Sequence, residues 1–188
     1  LLIASLMVQA DNVKEGNRLY AANKYREAMH YYLKPDAVKN PAIINRIGYM
    51  YNNGQGVDAD PEQAYQWYRK AAEAGLAAAQ FNLGLMYENG RGIQQNMPEA
   101  VRWFRKAAEQ NNTNAQMKMG YLTVTGIGIK KDYTGALKWY RRAAEQGDKC
   151  AYVDIGIMYA RGRGVKKDLK HAVQYYILGS QKGDAKAQ

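Results

Sequence analysis

The sequence predicts an all-α fold, a right-handed superhelical solenoid built from two-helix repeats. Glycines recur every 36 residues in three separate columns, and each set is followed by the same alanine and aromatic pattern. The columns are Gly48, Gly84, Gly120 and Gly156; Gly54, Gly90, Gly126 and Gly162; and Gly56, Gly92, Gly128 and Gly164. A fixed period of this length over consecutive units is typical of stacked helical repeats.

The first helix of each unit is predicted from a single apolar stripe. In the second unit it covers about Ala79 to Asn89, with Leu83, Met86 and Tyr87 on one face. Gly84 lies beside this stripe, where the missing side chain lets a neighbouring helix approach closely. We therefore expect tight helix contact at this glycine column.

Each first helix ends at a Gly-x-Gly turn, such as Gly90-Arg91-Gly92. Glycine tolerates the positive φ that ends a helix and reverses the chain. Phosphate-binding glycine turns follow a strand, whereas here a helix precedes each turn, which argues against a nucleotide site. The turn is predicted to be structural.

The second helix of the same unit is predicted over about Met97 to Gln110, with Pro98 in its first turn. Its buried face carries small alanines and the aromatic pair Trp103 and Phe104, which fill the space between units. One position of the turn holds an acidic or amide residue in every unit. We interpret this residue as the N-cap of the second helix, which stabilises the helix by about 1 kcal/mol. These residues are Asp60, Asn96, Asp132 and Asp168.

The repeat register divides the chain into segments. We predict a truncated signal peptide, a cap resembling a tetratricopeptide hairpin, four repeats, and the start of a fifth. The corresponding ranges are 1–10, 11–39, 40–75, 76–111, 112–147, 148–183 and 184–188. The signal peptide is predicted because Leu1–Ala10 are almost wholly apolar and end in Val8-Gln9-Ala10, short residues at the positions that a signal peptidase reads. The alternative is an apolar first helix of the solenoid.

The 36-residue units resemble those of the Sel-one-like repeat family, which is related to the tetratricopeptide repeat but has a longer turn between helices. The resemblance rests on Leu83-Gly84-Leu85-Met86-Tyr87-Glu88-Asn89-Gly90-Arg91-Gly92-Ile93 and on Ala100 to Ala108, and it covers roughly residues 40–188. It implies a helical adaptor or scaffold that binds protein partners.

The sequence departs from the repeat pattern at two places. Thr123 replaces a tyrosine, and Ile177-Leu178 replace a basic pair, which predicts a surface there that is buried by an adjoining repeat or by a partner.

No catalytic residue, metal site or cofactor is predicted. The single cysteine, Cys150, excludes an intramolecular disulfide framework. The two histidines, His30 and His171, lie far apart in sequence and lack a second ligand at helical spacing. Some cysteine-rich members of the resembled family are linked to β-lactam binding or hydrolysis, but they carry a cysteine pair in each repeat. Because such pairs are absent, a cell-wall or β-lactam-binding protein is the weakest alternative.

Positive charge is concentrated in the carboxy-terminal half, where residues 112–188 hold 14 Lys and Arg against 6 Asp and Glu. The basic cluster around the fourth turn consists of Arg161, Arg163, Lys166, Lys167 and Lys170. It favours an acidic protein partner. An anionic polysaccharide, a membrane surface or a merely solvated face are the alternatives. Nucleic acid is disfavoured because the cluster holds no base-stacking aromatic residue in sequence, and no small-molecule substrate is indicated.

By analogy with tetratricopeptide grooves, first helices would line the concave side of a superhelix. We call the predicted lining the first-helix face. It comprises Asn45, Tyr49, Asn52, Phe81, Leu85, Glu88, Met117, Tyr121, Val124, Val153 and Ile157. These residues would contact a peptide or protein, or alternatively form core between repeats. The sequence thus predicts an exported, periplasmic or secreted, non-enzymatic scaffold, with a cytoplasmic adaptor as the alternative.

Overall fold

The computed structural model describes the backbone of residues 2–184 and the side chains of residues 12–181, and within these bounds it contains helices and turns but no strand. The helices are α1 Leu2–Ala21, α2 Tyr25–Tyr32, α3 Pro41–Asn53, α4 Pro61–Glu73, α5 Ala77–Asn89, α6 Met97–Glu109, α7 Thr113–Thr125, α8 Tyr133–Glu145, α9 Lys149–Arg161 and α10 Leu169–Asp184, with a short 3₁₀ helix at Ala37–Lys39. The all-α prediction is confirmed. The first helix of the second repeat begins two residues earlier than predicted.

Two predicted segments lie at the limits of this description. The side chains of the proposed signal peptide, Leu1–Ala10, fall outside it, although the backbone of α1 continues from Leu2 to Ala21. Residues 185–188 of the predicted fifth repeat also lie outside it. The helix α10 runs through Asp184, past the predicted repeat end at Gly183.

The chain forms two compact units, one up to Asn96 and one from Met97 onward. In the first unit α1 packs on α2, α3 on α4, and α4 on α5. In the second unit α6 packs on α7, α7 on α8, α8 on α9, and α9 on α10. Within each unit, helices that follow one another in sequence are therefore neighbours in space, which is the packing of a repeat solenoid.

Each unit has its own apolar core. In the first unit Tyr32, Ile47 and Met50 are completely or almost completely buried. In the second unit Ile155 and Met158 fill the corresponding space between α8 and α9. Buried alanines at shared register positions on the second helices leave room for the neighbouring helices. They are Ala64, Ala71, Ala72, Ala136, Ala143 and Ala144 in α4 and α8.

The Gly-x-Gly turns adopt the positive φ that their sequence predicts. Gly162 ends α9 at φ +64°, and Gly164 follows at φ +73°. Gly164 also lies so close to the start of α8 that a Cβ would stand 2.6 Å from the carbonyl carbon of Tyr133. The second glycine of the turn therefore lets one repeat approach the backbone of the repeat before it.

The residue before each second helix makes the same backbone contact in all four repeats. The N–H groups of Asp60, Asn96, Asp132 and Asp168 donate to the carbonyls of Tyr51, Tyr87, Thr123 and Tyr159, over 2.9 to 3.0 Å. Asp60 and Asp168 are also side-chain N-caps, accepting from the amides of Gln63 and His171. The cap prediction is wrong for Asp132, whose carboxylate accepts no backbone N–H at the helix start.

Candidate functional site

The first-helix face of the first unit is partly open to solvent. Tyr49 is exposed, and the other predicted members are half-buried. Asn45 accepts a 3.0 Å hydrogen bond from Asn82 Nδ2, so the two first helices α3 and α5 are joined on this face. Arg91 Nη2 donates to the backbone carbonyl of Asn52 over 2.6 Å. Asn82 and Arg91 are not among the predicted lining residues, although each lies within three positions of one.

A small cavity of about 150 Å³ opens beside these bonds. It is lined by Asn52, Tyr68, Asn82, Leu85, Met86, Asn89 and Arg91. Burial raises the pKa of the Tyr68 phenol, which forms one wall of the cavity. The cavity therefore presents amide groups and one guanidinium, a lining suited to hydrogen bonds.

At the amino-terminal end of this unit, Arg46 of α3 contacts side chains of two other helices, α1 and α2. Its Nη1 donates to the hydroxyl of Tyr32 over 3.0 Å and to the amide oxygen of Asn17. Its guanidinium also stands 4.9 Å from the centre of the Tyr20 ring. The contacts with three aromatic and amide partners fix Arg46 in place, so its charge stabilises the cap rather than remaining free for a ligand.

The first-helix face of the second unit is more apolar. Tyr121 of α7 is 51% exposed and Val153 of α9 is 42% exposed, while Met117, Val124 and Ile157 are half-buried. Asp154 lies on α9 next to Val153, and burial, with Asp148 nearby, raises the pKa of its carboxyl. The predicted residues on α7 and α9 are thus partly accessible, and a partly buried carboxyl lies beside them in sequence.

The basic cluster is accessible, but its members differ. Arg161, Lys166, Lys167 and Lys170 are exposed. Arg163 is half-buried, and its guanidinium lies 5.5 Å from the centre of the Tyr133 ring. Tyr133 comes from α8, so an aromatic ring borders the cluster although the cluster's own sequence holds none. This neighbour arises because the turn packs on the start of the preceding second helix.

The replacement of a basic pair by Ile177 and Leu178 predicts a surface that an adjoining repeat or a partner covers. Within this chain both side chains are exposed on α10. Val173, beside them, is 54% exposed, whereas the equivalent Leu137 in α8 is 3% exposed. The difference arises because α9 packs on α8 and covers Leu137.

Other candidate chemistry is sparse in the part of the chain that the structure describes. No group of three or more His, Cys, Asp and Glu side chains that could hold a metal ion occurs there. Cys150 is exposed. His171 Nδ1 lies 2.7 Å from Asp168 Oδ2, and the amide and ring of His171 lower the pKa of the Asp168 carboxyl. Among the described residues, no helix is long and apolar enough to cross a membrane.

Helix pairs repeated every 36 residues with an accessible first-helix face define a helical-repeat protein. The chain belongs to the Sel1 repeat family, whose model matches residues 44–76, 77–112, 113–148 and 151–184. The resemblance seen in the sequence is therefore confirmed. Proteins of this family generally act as protein-interaction scaffolds rather than as catalysts.

Solved structures agree with this assignment. A Sel1 repeat protein from Oxalobacter formigenes is 62% identical, with a TM-score of 0.87 over 93% of this chain and 71% of that chain. The protective antigen c5321 of uropathogenic Escherichia coli, which displays an SLR fold, is 27% identical, with a TM-score of 0.88; the match covers 96% of this chain but only 39% of the antigen. Helicobacter pylori cysteine rich protein B, 22% identical with a TM-score of 0.56 over 68% of this chain and 92% of that chain, shares the fold alone. A comparison with curated protein sequences gives no match.

Proposed function

We propose that this protein is a non-enzymatic scaffold that binds a peptide or protein segment on its first-helix face. The observation that supports the proposal is the exposure of Tyr121 and Val153 on α7 and α9 of the second unit. Large apolar side chains left in solvent on one face are typical of a binding surface. An exposed tyrosine also offers contact area at a low cost in conformational entropy.

The character of the neighbouring groups fits a polypeptide ligand. Asn45, Asn52 and Asn82 present amide groups in the first unit, which can bond the backbone of an extended or helical segment. Tyr121 and Val153 supply the apolar contact in the second unit. Each unit thus offers groups of its own to a polypeptide, and protein interfaces use both kinds of group, hydrogen-bonding and apolar.

The test is a peptide-display selection against the protein, followed by calorimetry on the selected peptides. The double variant Y121S/V153S removes the exposed apolar groups from the face. The matched control, I127S/L169S, removes exposed apolar groups of the turn and of α10. We expect the first variant to lose at least about tenfold in affinity, since interface aromatics commonly contribute 1.4 kcal/mol or more. Equal losses in both variants would show that the first-helix face is not the binding surface.

We further propose that the partner is acidic. The support is the net positive charge of residues 112–188 together with four exposed members of the basic cluster. An anionic polysaccharide or a membrane surface would be attracted by the same field. Selected peptides should therefore be enriched in Asp and Glu, and a selection without such enrichment would contradict this part of the proposal.

Export is the remaining part of the proposal, with a periplasmic or secreted location. Its support is the apolar run Leu1–Ala10 with its short residues at the cleavage position. Deleting this decapeptide should leave the melting temperature unchanged. A clear fall would mean that the segment stabilises α1, and would favour the cytoplasmic alternative.

A further inference from the structure

The fourth repeat contains a stack of three aromatic rings. The ring of Tyr159 stacks with that of His171 at 5.4 Å and with that of Tyr175 at 5.5 Å, at interplanar angles of 19° and 15°. The Tyr159 hydroxyl accepts a 3.1 Å hydrogen bond from Arg141 of the preceding second helix. In this repeat, therefore, the phenol of Tyr159 has two stacked rings as neighbours and one hydrogen-bond donor.

The third repeat has the same partners with the phenol missing. The residues 36 positions before Tyr159, His171, Tyr175 and Arg141 are, in that order, Thr123, Gly135, Trp139 and Arg105. The stacking partner is still aromatic and the donor is still an arginine. Thr123 is smaller than Tyr159, and Gly135 has no side chain where the fourth repeat has the His171 ring. Both replacements therefore remove side-chain volume from the same place. Gly135 lies close to Thr123, because a Cβ on Gly135 would stand 3.6 Å from the Thr123 methyl carbon.

A cavity of about 710 Å³ occupies this place, which we call the third-repeat cavity. It is lined by Arg105, Glu109, Met119, Thr123, Ile129, Lys130, Lys131, Asp132, Gly135 and Trp139. The volume lies within the range usual for ligand sites. Its walls combine the apolar side chains of Met119, Ile129 and Trp139 with five charged ones, so it is more polar than most ligand pockets.

Two polar groups at the cavity are unusual. The Thr123 hydroxyl is buried and has no hydrogen-bond partner among the described residues. The Asp132 carboxylate does not cap α8, and its Oδ2 leans over Gly135 to within 2.5 Å of where a Cβ would stand. A buried hydroxyl without a hydrogen-bond partner is rare in folded proteins. It marks a place where the protein does not satisfy all of its own hydrogen-bonding groups.

We propose that the third-repeat cavity binds a phenolic ring, supplied by a tyrosine side chain of the partner protein. The ring stacks on Trp139 as Tyr159 stacks on Tyr175, and it lies beside Gly135, the position from which His171 stacks on Tyr159 in the fourth repeat. Its hydroxyl accepts from Arg105 as Tyr159 accepts from Arg141. This site uses other residues than the first-helix face, so either can fail without the other.

The test uses p-cresol as the phenol and toluene as the same ring without the hydroxyl. Binding is followed by the indole N–H resonances of the three tryptophans, with that of Trp139 assigned from W139F. We expect a saturable shift confined to the Trp139 resonance. We also expect p-cresol to bind about three- to tenfold more tightly than toluene, the contribution of one hydrogen bond. Unsaturable shifts, or equal affinity for the two ligands, would overturn the proposal.

Variants then locate the site. In T123Y the chain's own ring fills the cavity, so p-cresol binding should disappear, whereas T134Y, the same change at an exposed position of α8, should keep it. R105M should reduce p-cresol to the affinity of toluene, and it alters an exposed side chain, so it tests the proposal even if T123Y does not fold. Retained p-cresol preference in R105M, or binding by a folded T123Y, would place the ligand elsewhere.

The source of the ring is settled with a blocked Gly-Tyr-Gly peptide and the matched Gly-Phe-Gly peptide. A tyrosine peptide that binds at least as tightly as p-cresol, and more tightly than the phenylalanine peptide, supports supply by a polypeptide. If p-cresol binds and the tyrosine peptide does not, the cavity accepts a free phenol and the partner-protein part of the proposal is wrong.

Discussion

Gly120 of α7 lies against the ring of Tyr140 in α8, so closely that a Cβ would stand 2.5 Å from Cε1 of the ring. The same relation joins Gly48 to Tyr68 and Gly156 to Tyr176. In these three repeats the first helix therefore contacts the second helix through a glycine and an aromatic ring 20 residues later. The close approach expected from the glycine column is present in these three repeats.

Replacing Gly120 with valine should destabilise the protein by about 1–3 kcal/mol, because the Tyr140 ring is buried and has little room to move. Urea denaturation measures the loss. The control is Asn114→Val, which places the same side chain at an exposed position of the same helix. A loss for Gly120→Val no larger than that of the control would show that the two helices can separate without cost.

Gly164 and Gly147 form a matched pair for the turns. Both have positive φ, but a Cβ on Gly164 would meet the backbone of Tyr133, whereas a Cβ on Gly147 would meet nothing within 4 Å. Gly147→Ala should cost about 1–2 kcal/mol from the left-handed conformation alone. Gly164→Ala should cost about 1–3 kcal/mol more, since it adds overpacking. Equal losses by thermal melting would mean that contact between repeats at this turn contributes nothing.

Gln116 is completely buried in α7, and its amide joins three elements. Its Nε2 donates to the carbonyl of Ala108 over 3.1 Å, and its Oε1 accepts from Gln146 Nε2 over 2.7 Å. Gln116→Leu should cost about 1–3 kcal/mol, because it removes the hydrogen bonds to Ala108 and Gln146 from a buried side chain. The single and double variants with Gln146→Leu form a cycle that isolates the second bond. Strictly additive losses would show that the Gln116–Gln146 bond adds no stability.

The sequence was sufficient for the repeats and their turns, because glycine columns and apolar stripes reflect local requirements. It was insufficient for contacts between repeats. Gln116 looks like any polar helix residue until α6 is packed on it. Thr123 was visible as a departure from its column, but the cavity beside it requires Gly135, 12 residues later, to lie at the same place. The packing of helices brings Thr123 and Gly135 together, and the residue pattern of a single helix does not predict this proximity.

Asp154 makes stability depend on pH. Burial raises the pKa of its carboxyl above the ordinary value of 3.8. A raised pKa in the folded state means that Asp154 contributes stability below the unfolded pKa and loses it as the pH rises through the folded pKa. Asp154→Asn should therefore raise the melting temperature at pH 7, by about 1–3 °C. The gain should vanish near pH 3, where both chains carry a neutral side chain, and a gain independent of pH would exclude ionisation as its cause.

The basic cluster should act mainly on the rate of association. Arg161, Lys166, Lys167 and Lys170 are exposed, and exposed charges each contribute only about 0.2–1 kcal/mol of affinity. Together they attract an acidic ligand over distance, so changing all four to Gln should slow association and flatten its dependence on salt, with little effect on dissociation. Changing Tyr121, which contacts the ligand in our proposal, should instead accelerate dissociation.

Stopped-flow measurements on a selected acidic peptide, across ionic strength, separate these effects. The matched control changes four exposed cations of the first unit to Gln: Lys14, Lys24, Arg26 and Lys39. It removes the same net charge from a different place, so it reports the effect of total charge alone. Arg163 is left intact in both variants because its guanidinium packs on Tyr133, and its loss would mix a structural effect with the electrostatic one. If both variants slow association equally, the position of the basic cluster is unimportant and only the net charge of the protein attracts the ligand.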